Sequence, residues 1–301
     1  MKYRTLGRTL LNVSELGFGA LEIGRNWPYW RKERQDFQRP SEDEAVRVLD
    51  AAVDLGINFF DTAPAYFKSE EILGRAFKGK RDKVIIATKC GEWFDGQNSI
   101  YNYSASETTK FIENSLRLLQ TDHIDLLQIH SASVDTVRSG ETLSSMKKAQ
   151  EQGMVRFLGI STDQEEAARL AIESGEYDAI QISYNIIMQE MSKRIFPLAQ
   201  EKKVGIIIKG GMANGQLTSK YSDVNEQSQR ERIERISHIA DEQRMKLHEL
   251  ALRFTLSSSA VSTVIIGTKS ADHLRSNAET AAHGQLSVSA LQQLSQVSEA
   301  G

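Results

Sequence analysis

The sequence contains a single cysteine, Cys90, among its 301 residues. One thiol excludes an intrachain disulfide and a metal site built from several thiolates. The six histidines show no H-E-x-x-H or similar grouping, so we expect no metal. Cys90 follows Lys89 directly, but no base is identifiable beside it. A packed side chain is therefore a better interpretation of Cys90 than a nucleophile.

Long apolar runs and an excess of charge are also missing. No segment of about eighteen apolar residues could form a transmembrane helix, and the first residues lack the apolar core of a signal peptide. We therefore expect a cytoplasmic protein that does not enter a membrane. The net charge of -3 comes from 37 basic and 40 acidic residues and offers no broad basic field for nucleic acid. The content of 40% hydrophobic and 26% charged residues is typical of a globular protein.

Short apolar segments typical of buried strands alternate with amphipathic helices, at a repeat of roughly 30 to 40 residues. The predicted strands span residues 15–20, 57–60, 83–88, 123–129, 155–160, 177–183, 204–208 and 261–266. Residues 1–14 read as a β-hairpin, residues 90–104 as a long aromatic loop, and residues 287–299 as a last helix. The predicted fold class is α/β: a (β/α)8 TIM barrel with an N-terminal β-hairpin and a C-terminal extra helix, in one domain over residues 1–301. A doubly wound sheet is the alternative.

Four titratable side chains stand just past three consecutive predicted strands. The apolar run that begins at Ile57 ends in Asp61, and a proline-containing turn then leads to Tyr66. The next two strands end at Lys89 and His130. Because barrel active sites lie at the carboxyl ends of the strands, we expect these four groups to meet at one rim.

An ammonium between a carboxylate and a phenol is suited to proton transfer. We expect Asp61 to keep Lys89 charged, and the cation to lower the pKa of Tyr66 from its ordinary value of about 10. Tyr66 would then donate a proton, and His130 would add a hydrogen bond to an alkoxide that develops from a carbonyl. Each residue alone also has a structural explanation, as a cap, a packed aromatic, a surface charge or a histidine at a strand end.

The D-T-A-x-x-Y segment at 61–66, with Lys89 and His130 at strand ends, resembles the catalytic tetrad of the aldo-keto reductases. The resemblance extends over the whole chain, up to the G-T-x-S-x-x-H-L-x-x-N segment at 267–277. It implies the barrel fold, with NADPH bound across the barrel mouth and NAD as a possible substitute. It also implies hydride transfer to the carbonyl carbon of an aldehyde, ketone or sugar, with Tyr66 protonating the oxygen.

The resemblance also assigns binding residues. It implies contacts to the dinucleotide from Gly19, Ala20, Asp61, Ser161, Gln181, Met212, Gly215, Lys220, Gly267, Lys269, His273 and Asn277. Substrate contacts would come from Tyr29, Trp30, Trp93 and His130. Members of this family usually have a nicotinamide-stacking aromatic where Lys209 stands, so that platform is missing here or supplied by another part of the chain. Lys269 could attract a 2′-phosphate, which favours NADP.

Two other functions remain open. One is a redox-sensing regulatory subunit on the same barrel, resembling the β subunits of potassium channels. The other is a lyase that uses Lys89 as a Schiff-base nucleophile. The expected partner is a small-molecule carbonyl compound, and the sequence leaves any oligomeric partner unknown.

Overall fold

The computed structural model describes residues 1–26, 38–218 and 226–299. Its strands are β1 (Tyr3–Thr5), β2 (Asn12–Ser14), β3 (Leu16–Gly19), β4 (Phe59–Asp61), β5 (Ile85–Cys90), β6 (Glu92–Phe94), β7 (Ser99–Tyr101), β8 (Ile124–Ile129), β9 (Val155–Ser161), β10 (Ala179–Ser183), β11 (Gly205–Lys209) and β12 (Val261–Gly267). Its helices are α1 (Leu21–Gly24), α2 (Glu42–Asp54), α3 (Ser69–Phe77), α4 (Ala105–Leu119), α5 (Val134–Ser139), α6 (Glu141–Glu151), α7 (Glu165–Ser174), α8 (Glu190–Glu201), α9 (Gln227–Glu242), α10 (Leu247–Ser257), α11 (Ala271–Ala282) and α12 (Val288–Glu299).

Eight parallel strands of the described chain close into a barrel in the order β3, β4, β5, β8, β9, β10, β11, β12 and back to β3. The predicted (β/α)8 barrel is confirmed, and the doubly wound sheet is not the fold. Strand ends differ slightly from the prediction: β4 includes Asp61 itself, and β5 continues past Lys89 to Cys90. The backbones of Asp61 and Lys89 are therefore held in the hydrogen-bonded sheet of the barrel.

The predicted N-terminal hairpin closes one end of the barrel. Its strands β1 and β2 pair antiparallel, with Tyr3 opposite Ser14. Leu6, in the hairpin connection, is fully buried and packs on Gly205, where a Cβ atom would lie only 2.5 Å from the Leu6 side chain. Leu6 joins an apolar cluster that includes Phe59 and Leu126 inside the barrel. The hairpin and this cluster fill that end, so the cavity opens at the carboxyl ends of the strands.

The helices pack their apolar faces on the outside of the barrel, as their sequence periodicity predicts. Helix α2 begins at a capping box, in which the Ser41 hydroxyl accepts from the Glu44 backbone N–H and the Glu44 carboxylate accepts from the Ser41 backbone N–H. Between β8 and β9 the chain forms two helices, α5 and α6, because Gly140 adopts a positive φ of 66° between them. No helix in the described ranges is both long and apolar enough to cross a membrane.

Residues 90–104 correct the prediction of a long loop. They contain a β-hairpin, in which β6 pairs antiparallel with β7 and Glu92 lies opposite Tyr101. The Asp95 carboxylate accepts hydrogen bonds of 2.7 Å from the backbone N–H groups of Gln97 and Asn98, which stabilises the turn. The sequence prediction failed here because three-residue strands are too short to show a periodic pattern.

Candidate active site

The ammonium of Lys89 lies at the centre of the barrel mouth and is fully buried. Its Nζ atom donates hydrogen bonds of 2.8 and 2.7 Å to the two carboxylate oxygens of Asp61. It also donates to the Thr62 carbonyl at 3.0 Å and to the Tyr66 hydroxyl oxygen at 3.2 Å. An ammonium has three N–H donors and no acceptor, so these partners use all of them. The Tyr66 oxygen accepts from Lys89, and its own proton is available to another acceptor.

The order of the strands explains how these groups meet. Strands β4 and β5 are neighbours, with Asp61 opposite Ala87, so Lys89 lies two residues further on the same face. Tyr66 sits in a 3-10 helix, Pro64–Tyr66, that folds back over the rim. Helix α1 packs tightly on this turn, because a Cβ atom on Gly24 would lie 2.1 Å from the Tyr66 carbonyl oxygen. The glycine is required for that close approach.

Burial dominates the electrostatics of the phenol and the ammonium. Desolvation raises the pKa of Tyr66 well above its ordinary value, and the negative charges of Asp61 and Glu92 raise it further. Desolvation also lowers the pKa of Lys89, while Asp61 opposes that shift. The expectation that Lys89 lowers the pKa of Tyr66 is therefore wrong in this structure. The phenol is held in its protonated form and carries the proton that it could donate.

His130 lies beside Tyr66, with the two rings edge to face and their centroids 5.8 Å apart. Burial, helped by the cations Lys89, Lys209 and Arg25, lowers the pKa of His130 well below its ordinary value. The imidazole is therefore neutral near neutral pH.

A second layer of polar side chains orients Asp61. Gln181 donates to Asp61 Oδ1 at 2.7 Å, and Ser161 donates to the amide oxygen of Gln181 at 2.9 Å. Gln128 also donates to Asp61 Oδ1, at 3.3 Å. Sequence reasoning missed Gln128, which is opposite Lys89 in the sheet. A polar residue inside an otherwise apolar strand was the available signal.

A cavity of about 700 Å³ lies beside this cluster at the barrel mouth. Its lining includes the predicted residues Gly19, Asp61, Tyr66, His130, Ser161, Gln181, Met212, Gly215, Gly267, His273 and Asn277. Lys209 lines it as well, with Nζ 3.1 Å from an Asp163 carboxylate oxygen and 3.4 Å from the Ser161 hydroxyl. An ammonium thus occupies the position at which the resemblance implies an aromatic ring.

Other predicted contacts lie elsewhere. Ala20 is buried outside the cavity lining, and its backbone N–H donates to the Asp61 carbonyl at 2.8 Å. Lys269 is exposed and donates to the Gln38 carbonyl at 2.8 Å. Trp93 is on β6 with its ring 5.8 Å from that of Phe111, whereas the preceding residue, Glu92, lines the cavity. Alternation along a strand explains why the two neighbours face opposite ways. Tyr29, Trp30 and Lys220 lie outside the described residues.

Cys90, the residue after Lys89, belongs to the apolar cluster that also includes Phe111 and Ile112 of α4. It is fully buried, and burial raises the pKa of its thiol to about 12. The thiol is therefore not ionised near neutral pH, as expected for a packed side chain.

The cavity has features that fit an extended dinucleotide. Gly19 lines the cavity with its backbone. A larger residue does not fit there, because its Cβ atom would lie 2.7 Å from the Ile265 side chain. Gly210 and Gly215 have φ values of 65° and 89° and flank a turn after β11 that brings backbone close to the cavity. Such turns can present backbone N–H groups to phosphates. The residues present therefore fit a dinucleotide cofactor.

Comparison with known proteins agrees with this geometry. The model of the aldo/keto reductase family matches residues 15–299. L-galactose dehydrogenase of Arabidopsis thaliana is 30% identical over 294 residues, covering 92% of this chain and 87% of the relative. The oxidoreductase YqkF of Bacillus subtilis is 27% identical over 296 residues, covering 93% and 91%. The holo form of the aldo-keto reductase AKR11C1 from Bacillus halodurans superposes with a TM-score of 0.85 at 29% identity, covering 100% of this chain and 97% of that one. The chain belongs to the aldo/keto reductase family and is an NAD(P)-dependent oxidoreductase that acts on carbonyl and alcohol groups.

Proposed function

We propose that this protein interconverts a polar carbonyl compound and its alcohol with NADP, and that Tyr66 is the proton donor. The observation that carries the proposal is the position of Lys89 Nζ, which lies 2.7 Å from Asp61 and 3.2 Å from the Tyr66 oxygen. This one ammonium joins a buried carboxylate to a phenol at the wall of the cavity.

The chain's residues have complementary roles in this reaction. Tyr66 gives its proton to the substrate oxygen, and the phenolate that develops accepts a stronger hydrogen bond from Lys89. Asp61 balances the ammonium charge and, through Gln181 and Gln128, keeps a fixed orientation. Because Lys89 already donates to the phenol in this geometry, little reorganisation is needed as the charge moves.

The dinucleotide, when bound, supplies or takes up the hydride. Ser161 and Gln181 would hold its carboxamide, and Lys209 with Asp163 would border the nicotinamide in place of an aromatic ring. Met212 and Gly215 would lie along the pyrophosphate, with Lys220 as a further proposed contact. Gly267, His273 and Asn277 would contact the adenosine half. NADP is preferred in this proposal because the ammonium of Lys269, an exposed residue two positions after the cavity-lining Gly267, would turn from the Gln38 carbonyl to a 2′-phosphate.

A sugar or another polyhydroxylated carbonyl compound fits the substrate end best. The described lining near Tyr66 and His130 is largely polar and includes Arg25, Glu92, Ser99, Tyr101 and Ser131. These groups can bind hydroxyl groups next to the reacting carbon. The similarity to an L-galactose dehydrogenase supports the same class.

A substrate panel with cofactor absorbance as the readout tests this proposal. Sugars and their lactones, polyols, simple aldehydes and simple ketones would be assayed with NADPH or NADP, and with NADH or NAD. We expect turnover that favours the phosphorylated cofactor and the polyhydroxylated compounds. Tight cofactor binding without turnover of any compound would favour the regulatory-subunit alternative instead.

The lyase alternative is disfavoured by the surroundings of Lys89. A Schiff-base nucleophile needs an accessible neutral amine, whereas Lys89 is fully buried and donates to Asp61, Thr62 and Tyr66. Borohydride treatment in the presence of a carbonyl substrate should therefore leave Lys89 unmodified. A trapped adduct on Lys89, identified by mass spectrometry, would favour the lyase.

A further inference from the structure

Lys209 and Asp163 form an ion pair at the wall of the cavity, outside the tetrad. Lys209 Nζ lies 3.1 Å from an Asp163 carboxylate oxygen, and both residues line the cavity. The ammonium also donates to the Ser161 hydroxyl at 3.4 Å. Ser161 donates to Gln181, and Gln181 donates to Asp61. Two hydrogen-bonded side chains therefore connect this cation to the buried carboxylate of the tetrad.

Three neighbouring strand ends hold the ion pair in place. Lys209 is the last residue of β11 and lies opposite Ser183 of β10 in the parallel register. The Ser183 backbone N–H donates to Asp163 Oδ1 at 3.2 Å, and Asp163 follows the end of β9. The Asn185 amide donates to the Gly210 carbonyl at 2.9 Å, which fixes the backbone just after Lys209. The ammonium therefore has a defined position at the rim of the barrel.

The ammonium is on the inner side of the ion pair. The Lys209 side chain is 31% exposed and that of Asp163 is 54% exposed, so solvent screens the carboxylate more strongly. Ser161, the other partner of the ammonium, is buried. Burial lowers the pKa of His130 most, and Lys209 is among the cations that lower it further. A positive potential from Lys209 therefore reaches the part of the cavity next to His130.

The proposed hydride transfer requires the nicotinamide ring to lie close to Lys209. The ring must approach the carbon whose oxygen contacts Tyr66, and Ser161 with Gln181 would hold its carboxamide. Because Lys209 Nζ is within hydrogen-bond distance of Ser161, a carboxamide held there would have the ammonium as a neighbour. The reduced ring is neutral, whereas the oxidised ring carries one positive charge. Repulsion between like charges in the cavity therefore acts on the oxidised form alone.

We propose that Lys209 makes this site discriminate between the redox forms of the dinucleotide, so that the reduced form binds more tightly than the oxidised form. This inference rests on the proposed function and gives a role to the ammonium at the position where the resemblance implies an aromatic ring. An aromatic face attracts a cationic ring, whereas an ammonium repels it. Asp163 offsets part of that repulsion. When a carbonyl compound is reduced, Lys209 therefore favours release of the oxidised dinucleotide.

Binding titrations of both redox forms test this inference without any turnover. NADPH and NADP share the adenosine, the phosphates and the second ribose, so the ratio of their Kd values isolates the nicotinamide ring. By isothermal titration calorimetry, we expect the wild type to bind NADPH roughly five- to tenfold more tightly than NADP. Lys209→Met should lower the Kd for NADP by about that factor and change the Kd for NADPH less than about twofold. Lys209→Arg keeps the charge and should keep the wild-type ratio.

Asp163→Asn tests the sign of the effect. It leaves the ammonium without its counter-charge, while the amide oxygen can still accept from the Ser183 backbone N–H. The Kd for NADP should therefore rise in D163N, which is the opposite of the change in K209M. Merely structural damage would weaken the binding of both redox forms in both variants. Lys148→Met removes an exposed lysine of α6 and is the matched control, in which neither Kd should change.

An unchanged ratio of the two Kd values in K209M, or a shift of the same direction in K209M and D163N, would overturn the inference. NADH and NAD should show the same ratio, because their nicotinamide ring is identical, and this result would support the inference even if the preference for the phosphorylated cofactor failed. If no carbonyl compound were turned over, the proposed function would fail while the binding ratios still decided the role of Lys209. Absence of binding of either redox form would refute both.

Discussion

At the scale of single residues, Lys89 and Asp61 form a buried ion pair that is also central to the proposed chemistry. Both side chains are buried, at 0% and 4% exposure, so neither charge can be solvated if its partner is removed. Gln181 and Gln128 donate to Asp61, but they are neutral and cannot replace the ammonium. Removing only one partner should therefore destabilise the fold, and the pair is also central to the proposed proton transfer.

We predict that Lys89→Met lowers the free energy of unfolding by about 3 kcal/mol, because it leaves the Asp61 carboxylate buried without a cation. The double variant D61N/K89M, which removes both charges, should recover most of that loss without recovering activity. Urea denaturation of the three proteins measures these differences. A double variant that is as unstable as K89M would show that the uncompensated charge is not the cause.

His130 makes a specific contribution to the pH dependence of stability. Its pKa is lowered in the folded protein, while the unfolded chain binds a proton near the ordinary value of about 6.5. Below that pH the unfolded state therefore binds more protons, and stability falls as the pH is lowered towards the folded-state pKa. We predict that H130N flattens the plot of melting temperature against pH between about 6.5 and 5. Parallel curves for H130N and wild type would contradict this prediction.

That Asp61, Tyr66, Lys89 and His130 lie together at one rim could be predicted from sequence, because each is at or just past the end of a strand of recognisable apolar composition. Gln128 and Glu92 could not be predicted in this way, since their roles depend on which face of a strand points to the cavity. The direction of the Tyr66 pKa shift could not be predicted from the sequence either. A nearby cation is visible in a motif, but desolvation depends on how completely the fold encloses the ring.

At the scale of elements, the hairpin formed by β6 and β7 determines the shape of the substrate end. Gly91, just before the hairpin, and Gly96, in its turn, have positive φ values of 97° and 106°. A Cβ atom on Gly91 would lie 2.3 Å from the Tyr103 ring, whereas one on Gly96 would meet nothing within 4 Å. Alanine at position 96 would therefore introduce backbone strain alone, whereas alanine at position 91 would add a steric clash.

We predict that Gly91→Ala lowers the free energy of unfolding by about 3 kcal/mol, through strain and the clash with Tyr103. Gly96→Ala should cost about 1 kcal/mol, because it introduces strain alone. G91A should also raise the KM for substrate, since the displaced hairpin carries Glu92. Thermal unfolding and kinetics of both variants provide the comparison, and equal stability losses would argue against the Tyr103 ring as the obstacle.

The same hairpin is an element that the sequence pattern could not predict. The eight barrel strands were predictable from their apolar composition and from their alternation with helices. Three-residue strands joined by an Asp95 turn give no such pattern, and the break between α5 and α6 depends on the backbone conformation of Gly140. Glu92, Ser99 and Tyr101 of this hairpin line the cavity, so the sequence is least informative about that part of the wall.

At the scale of the whole molecule, Arg4 binds the N-terminal hairpin to the closed end of the barrel. Its guanidinium donates to the carbonyls of Leu256, Ser258 and Val261 at 2.7 to 2.8 Å, and it pairs with Glu15 at 2.7 Å. These contacts tie the first strand of the chain to the segment that enters β12, the last strand of the barrel. They lie at the end of the barrel opposite the cavity.

We predict that Arg4→Met destabilises the protein by about 3 kcal/mol, because it leaves Glu15 and several carbonyls without their donor. Its kcat should stay close to that of the wild type below the melting temperature, since the active site is at the other end. Arg275→Met, which breaks an exposed pair with Asp272 on α11, is the control and should change stability little. A large loss of kcat in folded R4M would mean that the two ends of the barrel are coupled.

The most direct test of the central claim is the turnover of Tyr66→Phe, measured together with its affinity for the dinucleotide. The substitution removes one hydroxyl group and leaves the ring and the remaining contacts of Lys89 in place. If Tyr66 donates the proton, the rate should fall by a factor of about 10² to 10⁴ while the Kd for NADP stays within about twofold of the wild-type value. A Y66F enzyme that turns over at close to the wild-type rate would contradict the account.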